Sequence, residues 1–187
     1  MKTTIKYTRM ASMLCMLALS QAYFCFGQNS MNFSGTWLPP DKTFSVEVPV
    51  PLKESKGEYG DQDPDGYESI RSYGESLGNY SFQIVVINLR ETEKKVALDE
   101  KLDGLQFLVG GDDDFDFTRK YLTIDGLSAK EIVYKKQNSK GLMIDGCDKI
   151  YVLGMTVKLR KDLDSDIANR FFTSFRRLTT SRLTTNK

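Results

Sequence analysis

Residues 119–159 read RKYLTIDGLSAKEIVYKKQNSKGLMIDGCDKIYVLGMTVKL, and this stretch decides the fold. Four apolar runs, RKYLTI (119–124), AKEIVYK (129–135), LMI (142–144) and KIYVLGMTVKL (149–159), are separated by Asp125-Gly126, by Asn138 to Gly141 and by Asp145-Gly146. Asp-Gly pairs supply the positive φ that a tight hairpin demands, so runs joined by them read as an antiparallel meander. In the last run Tyr151, Leu153, Met155, Val157 and Leu159 share one side, which predicts a strand with one face on a core.

Upstream, YSFQIVVINL (80–89) becomes apolar on both faces from Ile84 onward, as a central strand covered on both sides would. TFSVEVPV (43–50) alternates Phe44, Val46, Val48 and Val50 with Ser45 and Glu47, a half-buried strand whose Pro49 and Pro51 suit its end or a sheet edge. Between them, residues 53–79 are polar and carry Gly57, Gly60, Gly66, Gly74 and Gly78; they read as a long loop holding at most a short strand around Tyr67 to Tyr73. All five prolines fall between Pro39 and Pro64, so later elements run without such breakers. From Thr92 to Val109 the pattern turns helical, with Leu98, Leu102, Leu105 and Val109 in a stripe that Gly104 weakens and Gly110-Gly111 ends. Downstream, Asp164 or Ser165 caps a second helix in which Ile167, Phe171, Phe175 and Leu178 form a stripe, with Arg176 and Arg177 near its carboxyl end. The expected class is α/β of the α+β type: a mainly antiparallel sheet flanked by helices. Without repeats or a low-complexity linker, residues 28–187 read as one domain, with its core in 37–178 and a frayed tail over 179–187.

The order of these segments resembles the PsbP-like α/β/α sandwich. "FSVEVP", a long loop, "YSFQIVVI", a helix, the meander with "IDGLSAKEIVY" and "KIYVLGMTV", and the closing "DSDIANRFFTSFR" carry the likeness over about residues 37–178. The resemblance implies a binding or accessory protein rather than an enzyme. This chain has no histidine, so no imidazole metal site of that family can be carried over, and no functional residue is transferred.

Lys2, Lys6 and Arg9 precede a nearly uncharged run from Met10 to Phe26, the layout of a secretory signal peptide over residues 1–27. Cleavage after Gly27 is expected, with Ala22 as the rival, and the product is secreted or periplasmic. The run is broken by Ser12, Ser20 and Gln21 and is too short for a spanning helix, so no stable membrane insertion is expected after cleavage. Removing this segment takes three of the 26 basic residues and none of the 25 acidic ones, leaving a formal charge of −2 on about 160 residues. Such a balance gives no general case for nucleic acid or an anionic membrane. It also leaves only Cys147, which cannot form an internal disulfide and reads as a small residue buried near a turn.

The missing histidine excludes Ser-His-Asp and Cys-His nucleophilic sites, His-ligated zinc and imidazole acid–base chemistry. Two acidic runs remain. DQDPDG (61–66) sets Asp61, Asp63 and Asp65 at alternate positions before Gly66, as a calcium loop begins. The loop then departs from the EF-hand pattern, with Glu68 at an apolar position and Ser72 where a bidentate glutamate belongs; a solvated turn is the simpler reading. GGDDDFDF (110–117) places Asp112, Asp113, Asp114 and Asp116 in a charged connection. Asn32-Phe33-Ser34 and Asn79-Tyr80-Ser81 match the N-glycosylation pattern. The expectation is an exported, non-enzymatic accessory or binding protein with no cofactor and an unknown protein or small-molecule partner. A secreted hydrolase using Asp and Glu is the second class, and a calcium-stabilised structural domain the third.

Overall fold

A computed structural model describes residues 35–55, 67–97, 100–101 and 117–178. The meander forms as its turns dictate: β6 (Phe117–Ile124), β7 (Leu127–Tyr134), β8 (Ser139–Asp145) and β9 (Lys149–Val157) pair antiparallel in sequence order. Asp125 (φ 52) and Gly126 (φ 77) make the β6–β7 turn as the dipeptide predicts. In the β8–β9 turn, by contrast, the positive φ falls on Cys147 (φ 75), one residue after the glycine. Asp145 accepts a hydrogen bond from the Cys147 N–H at 2.9 Å, which braces this turn.

β9 then pairs with β5 (Tyr80–Leu89), which pairs with β4 (Tyr67–Leu77), edged by β3 (Lys53–Ser55). The seven-stranded order is β3-β4-β5-β9-β8-β7-β6, all antiparallel. A three-stranded sheet, β1-β2-β10, joins β1 (Gly35–Trp37) and β10 (Arg176–Arg177) to the two sides of β2 (Phe44–Val48). The described residues are thus mainly antiparallel sheet with two α-helices, an α+β class.

β4 corrects the loop expected over 53–79. It is an eleven-residue strand in register with β5 through a two-residue Gly78-Asn79 turn, where Gly78 has φ 61. Pairing along the whole of β5 outweighs the low strand preference of Gly74, Glu75 and Ser76. The helix expected over 92–109 is also corrected where it is described. α1 (Glu91–Lys94) is helical, Lys95 to Ala97 are not, and the Lys101 N–H again reaches the Ala97 carbonyl at 3.0 Å. α1 buries no residue, and its Lys94 pairs with Glu91 at 2.6 Å; its single turn stops before the apolar stripe begins. Leu98, Leu102, Leu105 and Val109 lie outside the described residues.

After β9 a 3₁₀ turn (Arg160–Asp164) leads to α2 (Asp166–Thr173). Ser165 is the cap, its hydroxyl accepting from the Ala168 N–H. α2 ends two residues before Phe175, contrary to the expected stripe: Arg176 and Arg177 form β10 and pair with Ser45 and Phe44. Phe175 is still fully buried, delivered by the chain just past the helix end, whereas Leu178 is 37 % exposed. Leu159, expected on the buried side of the last strand, lies beyond β9 and is 49 % exposed.

The large sheet has two different faces. On the first, Tyr73, Phe82, Ile84, Val86, Tyr151, Leu153, Met155 and Val157 meet β2, α2 and Phe175 in one buried cluster. On the second, Val85, Ile87, Leu89, Ile132, Tyr134, Met143, Ile150 and Val152 form a separate, mostly aliphatic cluster.

Candidate functional site

Three short segments meet at one end of the large sheet. They are the β4–β5 turn (Gly78-Asn79), the β7–β8 turn (residues 135–138) and the chain leaving β9 (residues 158–161). Backbone hydrogen bonds join them: Val157 N–H to the Asn138 carbonyl and Lys158 N–H to the Asn79 carbonyl, both at 3.0 Å. The Arg160 guanidinium donates to the Lys135 carbonyl at 2.9 Å. This end therefore carries Lys135, Lys136, Lys158, Arg160 and Lys161, all but half-buried Lys135 exposed, with the Leu159 side chain among them. At the opposite end the meander turns carry Asp125, Asp145 and Asp148. Asp145 is engaged by Lys101 at 3.4 Å, and Asp125 accepts from the Arg177 N–H at 2.7 Å.

A second feature is the β6 edge. Thr118, Arg119, Lys120 and Tyr121 are exposed in a row, and Tyr121 is 57 % exposed. The Arg119 guanidinium lies 4.6 Å over the Phe117 ring. Among the described residues no strand pairs with the outer side of β6.

The third feature lies on the second face, beyond its aliphatic cluster. Register places Ser76, Ser81, Thr156 and Ser139 side by side across β4, β5, β9 and β8. The Ser76 hydroxyl donates to Ser81, and Ser139 and Thr156 share a hydrogen bond, each at 3.2 Å. Next to this row, Ser81, Gln83, Val85, Val152, Gly154 and Thr156 line a shallow depression of about 40 Å³. Pockets for small ligands run to about 300 Å³ or more. The depression is thus far smaller than a substrate site, and its hydroxyls already partner one another.

Buried phenols have structural roles. Burial pushes Tyr134 up to about 12, against the pull of Arg119, and pushes Tyr151 up to about 12, with the Asp148 charge adding to it. Both stay protonated throughout the physiological range. Glu75 is held below the usual carboxylate range by its hydrogen bond from Lys53, 2.6 Å away.

Asp61, Asp63 and Asp65 lie outside the described residues, as do Asp112, Asp113, Asp114, Asp116, Asn32 and the whole of residues 1–27. Among the described residues no three His, Cys, Asp or Glu side chains group to hold a metal. No helix there is long and apolar enough to cross a membrane. Cys147 corrects the sequence reading: it is at a turn but exposed, because the turn aims it outward at positive φ. Asn79 sits in the tight turn, its carbonyl bonded to Lys158.

The cationic end was missed from sequence because its charges come from pieces of two to four residues, more than 20 positions apart. Their signal was present in the turn identities: Lys135-Lys136 closes one hairpin and Lys158 to Lys161 follows the strand beside it. No protein-family model matches the chain, and no curated protein matches it.

Proposed function

We propose that the chain is an exported, non-catalytic binding module of the PsbP-like sandwich kind, which takes an extended acidic segment of a partner protein along β6. The fold part of this reading is supported by the four-strand meander, the central β5 and β9, and α2 packed across one face. The export part is supported by the charge layout of residues 1–27.

The observation that carries the binding reading is the β6 edge. An eight-residue strand turns alternate N–H and C=O groups outward, and such an edge can accept an added strand. Arg119 and Lys120 select the occupant. A second copy of β6 would bring like charges together, whereas an acidic strand would be attracted. The same cations also guard the edge against aggregation, so they act by exclusion as well as by recognition.

Affinity capture with the exported protein from its own extracellular or periplasmic fraction tests this. A partner recovered by the native protein and lost by Thr118→Glu/Lys120→Glu is the expected outcome. Equal recovery by both, or none by either, overturns the reading. Both substituted side chains are exposed, so melting temperature should be unchanged.

A further inference from the structure

We draw no further inference here: the strongest candidate, the shallow depression on the second face of the large sheet between β5 and β9, is an open stretch of sheet whose hydroxyls already pair with one another, and nothing in the structure shows what covers it.

Discussion

The two faces of the seven-stranded sheet are built from the same strands and solve different problems. The first is aromatic and tightly filled: Phe44, Tyr151 and Phe175 lie with ring centroids 5.0 to 5.7 Å apart, and Phe82 meets Phe171 edge-on at 5.2 Å. The second is aliphatic at one end and lined by hydroxyls and glycine at the other. Rings that interlock leave no room for change, so the first face fixes the geometry of the fold. The second face can vary in composition without disturbing that geometry. Both faces alternate along the same β5 and β9, so the sequence must satisfy both at once.

The largest expected break in this comparison is Phe171→Ala. The ring is fully buried between Phe82 and Phe172, and its removal should cost about 3–5 kcal/mol, read as a shift in the denaturant midpoint. A loss under about 1 kcal/mol would mean that the aromatic face is not the anchor of the fold.

Alkaline unfolding sharpens the comparison because buried tyrosines lie on both faces, Tyr151 on the first beside Tyr73 and Tyr80, and Tyr134 on the second. The Tyr134 and Tyr151 phenols ionise near 12 when folded and near the ordinary 10 when unfolded. Between those values the unfolded chain releases protons that the folded one keeps, so stability is full below pH 10 and falls as pH rises towards 12. Each should contribute on the order of 2 kcal/mol to that fall. Tyr134→Phe and Tyr151→Phe should each remove a comparable part of the pH dependence seen in denaturant melts, with buried Tyr73 accounting for some of the rest. A profile flat from pH 9 to about 12 would contradict the burial of both rings.

The smallest effects come from two glycines. A Cβ on Gly146 would sit 2.8 Å from the Tyr151 ring and 3.1 Å from the Lys149 carbonyl. On Gly154 it would meet Gln83 at an ordinary 3.8 Å. Gly146→Ala should therefore cost about 1–3 kcal/mol, whereas Gly154→Ala should be neutral or stabilising by less than about 1 kcal/mol. Equal costs at both positions would erase the difference in packing between the faces.

The legible parts of the fold were those where side-chain pattern and turn chemistry agreed. Asp125-Gly126, the alternation of 149–157 and the double-sided apolarity of Ile84 to Ile87 each pointed to one answer. β4 was illegible because, beyond Ile70, its residues on the second face are Ser72, Gly74 and Ser76, the hydroxyl and glycine end, where no apolar alternation exists to read. Its strand state comes from β5, a non-local cause. The last helix ends about one turn short of the apolar stripe for the opposite reason: Phe175 keeps the apolar spacing of a helix but reaches the core from beyond the helix end. Neither the cationic end nor the β6 edge could be seen in advance. The first is assembled from separated turns, and the exposure of β6 depends on its place in the strand order.

The small sheet sets an order on how the chain can fold. β10 pairs Arg177 with Phe44, Arg170 makes two hydrogen bonds to Glu47 at 2.9 and 2.6 Å, and the Ser174 hydroxyl accepts from the Glu47 N–H at 2.8 Å. Each contact joins positions more than 120 residues apart. Local hairpins can form early, but the aromatic face stays open until residues 165–177 arrive, and contacts of such long separation form slowly. A chain emerging amino end first thus has no means of sealing itself until nearly all of it is present. Under the export proposed from residues 1–27, this late closure would keep the polypeptide threadable while it is handed across a membrane.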